Sequence, residues 1–116
     1  VRRHSLGSYA QTADRGHARF RLDVVSDDVL AVSGELDVSN RELFERAVED
    51  TGPRGRAGRL VVDATGVTFM DHRCLISLAD HAVMQGATLV LRTRWPGVER
   101  MLEALRLPNV RVEGPA

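Results

Sequence analysis

The period of the apolar positions changes several times along this chain, and each change marks an element. Phe20, Leu22 and Val24 alternate with Arg19, Arg21 and Asp23, the pattern of a half-buried strand. Asp27-Asp28 makes a turn, and Val29-Leu30-Ala31-Val32 returns as the hairpin partner. Gly34-Glu35-Leu36-Asp37 then leaves the sheet. Ser39-Asn40-Arg41-Glu42 fits a capping box: the Ser39 hydroxyl would accept from a first-turn amide, and Glu42 would reach back to the Ser39 amide. Leu43, Phe44, Ala47 and Val48 fall on one face of the helix that follows, and Gly52-Pro53 stops it.

Leu60-Val61-Val62 reads as a buried strand, broken by Thr65-Gly66 and extended again over 67–70. At Asp71 the pattern becomes helical. Asp71 stands where an N-cap is expected, its carboxylate accepting from first-turn amides and facing the positive end of the helix dipole. Leu75, Leu78, Ala79, Ala82 and Val83 give the buried face, and Gly86 a left-handed stop. Residues 87–91 form the next strand. Trp95-Pro96-Gly97 opens a last helix with Val98, Met101, Leu102 and Leu105 on one face, and Val110-Arg111-Val112 is a short edge strand. Residues 1–17 show no periodicity and are expected to be a flexible N-terminal tail, an arm docking on a partner or a second copy being the alternative. The resulting order, β-β-α-β-α-β-α-β, implies an α/β fold whose sheet is at least partly parallel. It occupies 18–113 as one domain.

Composition narrows the classes. At 116 residues there is room for one core. The formal net charge is zero, so nothing in the balance points to nucleic acid or an anionic membrane. All sixteen basic residues are Arg, which reads as a coding bias. A single Cys excludes an internal disulfide and a Cys-based zinc site, and no two His stand four apart; no metal site and no cofactor are expected. No apolar run approaches the ~18 residues of a spanning helix, and the first residues lack the apolar core of a signal peptide, so a cytoplasmic location is expected.

Several residues carry candidate chemistry. Cys74, at a helix start, has the position of a thiol with a lowered pKa, set against a small packed residue. His72 lies two residues away, so the two side chains diverge and His72 is no base for Cys74. Asp63 reads as a hydrogen-bond acceptor at a strand end or as a catalytic carboxylate. Trp95 suits an interface anchor or a cover for the sheet end. Arg92, Arg94 and Arg100, without interleaved aromatics, give little signal for RNA or lipid. The basic turn over 54–59 is a solvated loop or an anion contact.

Two segments carry a family resemblance. Gly34-Glu35-Leu36-Asp37 resembles the G-E-L/I-D that ends the second strand of STAS domains, the fold of the bacterial anti-sigma-factor antagonists. Val62-Asp63-Ala64-Thr65-Gly66-Val67-Thr68-Phe69-Met70-Asp71 resembles that family's D-L-S-G-V-T-F-I/M-D. The similarity runs over roughly 20–112. It implies a STAS-like mixed β-sheet with helices packed mainly on one face. It also implies a non-enzymatic module that binds a kinase-like anti-sigma factor in partner-switching control of transcription. In that family the Asp is followed by Ser-Ser-Gly, and the partner kinase phosphorylates the second Ser. Here His72-Arg73-Cys74 follows Asp71, so Arg73 occupies the acceptor position. A guanidinium neither receives nor imitates a phosphate, and no phosphoacceptor is expected there.

The expected partner-binding residues are Asp37, Ser39, Asp71, His72 and Arg73. Arg73 either pairs within the chain with Asp37 or Asp71, or clamps a partner carboxylate or a nucleotide phosphate. A homo-oligomer is compatible with the sequence. Two other readings stand beside this one: a STAS subunit of a lipid-transport ABC complex, and a small thiol-dependent enzyme built on Cys74.

Overall fold

The structure, a computed structural model, describes residues 8–11, 20–26, 28–52 and 54–114. Among these, one sheet runs in the order of its strands: β1 (Ser8–Gln11), β2 (Phe20–Ser26), β3 (Val29–Leu36), β4 (Arg59–Met70), β5 (Thr88–Arg92) and β6 (Val110–Glu113). β1, β2 and β3 pair antiparallel, and β3 through β6 pair parallel. The helices α1 (Arg41–Thr51), α2 (His72–Met84) and α3 (Val98–Leu105) are the crossovers of the parallel half. This is the expected mixed α/β sheet with one strand more. Ser8–Gln11, placed in a tail by the sequence reading, pairs with β2 instead; the rest of 1–17 lies outside the described residues.

All three helices cover one face. Leu22 opposite Val32, Leu30 opposite Val62, and Leu60 and Val62 opposite Leu89 and Leu91 point the same way. They join Phe44, Ala47, Leu75, Leu78, Val98 and Leu102 in a single core. Phe44 is fully buried and meets Phe20 edge-on, ring centres 5.6 Å apart at 84°. Such a pair is worth about 0.5–1.5 kcal/mol beyond the area it removes from water. Among the described residues, the opposite face carries no helix. Arg21 pairs with Asp23 there, and Glu113 bridges Arg59 and Arg92. Val61 and Val90 are buried on that face, outside the main core.

Two expectations about strand ends are corrected. Thr65-Gly66 does not break β4, which runs unbroken for 12 residues. The register slips there instead, between Ala31 and Ser33 on β3. A Cβ on Gly66 would stand 2.9 Å from the Ser33 Cβ, so only glycine lets the strands stay paired through the irregularity. Likewise 34–36 remain in β3, because Gly34, at φ 95°, absorbs a second slip and the ladder resumes at Glu35. Gly52 and Gly86 end α1 and α2 with left-handed φ of 57° and 67°.

Candidate functional site

Parallel strands β3 and β4 end side by side, each delivering a loop to a helix. One backbone bond joins the two exits: the Asp71 amide donates to the Leu36 carbonyl at 2.6 Å. The loop over 37–40 and the start of α2 therefore form one surface at the carboxyl ends of the strands.

The 37–40 loop is held by its own side chains. Asp37 accepts from the Ser39 amide at 2.9 Å and from the Ser39 hydroxyl at 2.5 Å. Asn40, 3% exposed, accepts from the Asp37 amide at 3.0 Å and donates from Nδ2 to the Glu35 carbonyl at 2.9 Å. This corrects the capping box. Asn40, not Ser39, is the N-cap residue of α1, and its side chain makes no cap bond because it is turned back toward the strand. Ser39 is spent on Asp37. Val38, between them, is 74% exposed.

α2 starts as expected. Asp71 is its N-cap and accepts from the Arg73 amide at 3.3 Å, while its other oxygen lies 3.3 Å from His72 Nδ1. His72 and Arg73 are both exposed. The intramolecular pair considered for Arg73 is absent: its guanidinium makes no ion pair with Asp37, Asp71 or any other described residue. One residue further along, the environment inverts. Cys74 is completely buried. Burial pushes its thiol up to about 12, the charges of Asp71 and Glu45 add to the rise, and Arg41 opposes it. The lowered thiol considered for a helix start is overturned, because the side chain points into the core rather than along the dipole, and a thiol-dependent enzyme has no thiolate here near neutral pH. Ser77, the hydroxyl nearest Arg73 on α2, is shared between the Glu45 carboxylate and the Arg73 carbonyl.

The remaining candidates lie elsewhere. Asp63 is on the open sheet face, mid-strand rather than at a strand end. It accepts from the Thr65 hydroxyl at 2.7 Å and the Thr65 amide at 3.1 Å. These bonds hold its carboxyl below the usual value, with Arg92 and Arg94 adding to the effect. That is a structural acceptor. Arg92 is engaged by Glu113 and, with Arg94, acts on Asp63, while Arg100 lines a groove with Glu99 and Glu103. Trp95 packs, half-buried, against the core.

Sequence reasoning missed four contributors to this surface. Asn40 was hidden inside the supposed capping box. Val38 and Phe69, the latter 48% exposed, add an apolar rim, legible only once Met70 is known to face inward. Arg41 has its Nε buried without a hydrogen-bond partner among the described residues.

A mixed sheet with its helices on one face, and a capped helix start beside a short polar loop, defines an α/β fold with one surface built at the carboxyl ends of its parallel strands. The chain belongs to the STAS family: the family model described as "Mlab, STAS domain" matches residues 18–112. Among solved structures it is similar to the anti-sigma factor antagonist SpoIIAA in its unphosphorylated form. The TM-score is 0.58 at 17% identity, over 81% of this chain and 87% of that one. A search of curated proteins finds no sequence match. Among the described residues, no group of three or more His, Cys, Asp or Glu is placed to hold a metal, and no helix is long and apolar enough to cross a membrane.

Proposed function

We propose that this chain is a non-enzymatic interaction module that binds a kinase-like anti-sigma factor in partner-switching control of transcription. Asp37, Ser39, Asp71, His72 and Arg73 form the contact surface, with Val38 and Phe69 as its apolar rim. The observation that carries this reading is the exposed Arg73 guanidinium, which has no ion pair among the described residues. A cation in the first turn of a helix is disfavoured by about 0.3–1 kcal/mol. A carboxylate on the partner offsets that cost through a bidentate, charge-assisted bond. Phosphorylation of a serine would bring about −1.5 to −2 charges to this position; Arg73 fixes the opposite sign there. The surface is therefore held permanently in a state that phosphorylation does not reverse. The protein resides in the cytoplasm on this reading.

The same observation favours a second reading, a STAS subunit of a lipid-transport ABC complex, which needs no phosphoserine. Affinity capture from native lysate, with Arg73→Ala and Asp71→Ala as controls, separates the two. A kinase-like anti-sigma factor, lost with either variant, supports the first reading; an ATPase subunit of a transporter supports the second. Incubation of the captured pair with ATP should leave the intact mass unchanged, and a phosphate mapped to 71–77 would contradict the proposal.

A further inference from the structure

At the far end of the helix pair, the α1 and α2 C-termini frame a groove of about 260 Å³. Val48 lies in its wall, Glu45, Glu49 and Asp80 make it acidic, and Met84 stands at its edge. Met84 is 84% exposed and its neighbour Val83 57%, so an apolar patch adjoins the acids. The last turn of α1 holds Glu49 and Asp50 and no basic residue, so the side chains repeat the sign of the helix dipole instead of opposing it. Among the described residues, Glu49, Asp50 and Asp80 make no ion pair.

Complementary charges stand at the same end. The loop over 54–58 is seated on the junction between α2 and β5: the Thr88 amide donates to the Gly58 carbonyl at 2.8 Å, and a Cβ on Gly55 would lie 2.6 Å from that of Ala87. This close seating holds Arg54 and Arg56 outward, both exposed and, among the described residues, without an ion pair. A basic loop and an acidic groove thus lie side by side on one end and leave each other's charges unpaired. A second copy turned about a two-fold axis lays each loop on the other's groove, the self-complementary arrangement a two-fold interface requires.

We infer that this end is a homodimer interface, in which Arg54 and Arg56 of each copy meet Glu49 and Asp80 of the other around Val83 and Met84. The 37–40 loop and the start of α2 lie at the opposite end and stay open on both copies. The dimer would then offer two partner-binding surfaces at once. This interface uses none of the residues of the proposed partner surface, so either proposal survives the failure of the other.

Sedimentation velocity of the whole chain tests it, over a micromolar concentration series at about 50 mM and about 500 mM salt. The wild type should shift toward dimer with concentration, less so at the higher salt. Arg54→Glu with Arg56→Glu, and separately Glu49→Arg with Asp80→Arg, should each weaken association at least about tenfold. An equimolar mixture of the two double variants should recover it, since both contacts are then complementary. Met84→Asp, which leaves the charges alone, should also weaken it, and circular dichroism checks that every variant is folded. A wild type that stays monomeric throughout, or a dimer indifferent to both reversals, overturns the interface.

Discussion

The two ends of the helix pair hold their charges in opposite states. At the α1 and α2 starts, the carboxylates are engaged and the cation is loose: Asp37 is bonded to Ser39, Asp71 to the Arg73 amide and His72, while the Arg73 guanidinium has no ion pair among the described residues. At the C-terminal end Glu49, Asp50, Asp80, Arg54 and Arg56 are all without ion pairs among those residues. The difference separates charge used to build a loop from charge left over for recognition. Engaged acids at the first end make a fixed platform around the exposed Arg73; at the other, groups of both signs stand exposed and without ion pairs among the described residues.

Substitutions at the two ends should therefore change stability in opposite directions. Asn40→Ala is the most damaging, because it leaves the Glu35 carbonyl and the Asp37 amide without their buried partner. A loss of about 1–3 kcal/mol is expected in urea unfolding. Asp71→Ala removes the N-cap of α2 and should cost about 0.5–2 kcal/mol in the same assay. Glu49→Arg should have the opposite sign. It puts a cation in the last turn of α1 and should stabilise the chain by about 0.3–1 kcal/mol, read by thermal unfolding at a dilution where the chain is monomeric. A destabilised Glu49→Arg would break the comparison.

How far the sequence shows these features depends on what decides each one. The strand over 60–62 and most of the inward helix faces follow from local apolar period, and the structure keeps them. Val83 is the exception: the period puts it on the buried face of α2, and it lies 57% exposed, at the edge of that face where no neighbouring element among the described residues covers it. The cap at Asp71 was legible because the strand-to-helix switch leaves a single acidic candidate. The cap of α1 was not. Ser39 and Asn40 both suit an N-cap, and the choice was made by the distant Glu35 carbonyl, which claims the Asn40 amide. β1 was illegible for a similar reason: Ser8-Tyr9-Ala10-Gln11 has no apolar alternation, and its identity comes from pairing with β2. Cys74 shows the limit most plainly. Its position allows either a reactive thiol or a small packed residue, and the packing decides for the second.

That burial gives a smaller effect, read by pH. The Cys74 thiol, at about 12 when folded, lies above the ordinary value near 9.0. The folded state thus holds the proton more tightly, so the stability this contributes is present below about pH 9 and is lost as pH rises toward 12. Alkylation of the native chain should stay slow from neutral pH up to mildly alkaline conditions, and become fast at any of those values once the chain is unfolded in denaturant. Rapid native modification at neutral pH would instead place the thiol at the surface beside Arg73.

The most direct test is the affinity of the captured partner for Arg73→Ala and Arg73→Glu relative to the wild type, measured by calorimetry on chains with matched unfolding curves. The account predicts binding weaker by at least about tenfold for Arg73→Ala and weaker still for Arg73→Glu, with the wild-type affinity falling as salt rises. Equal affinity for all three would contradict it.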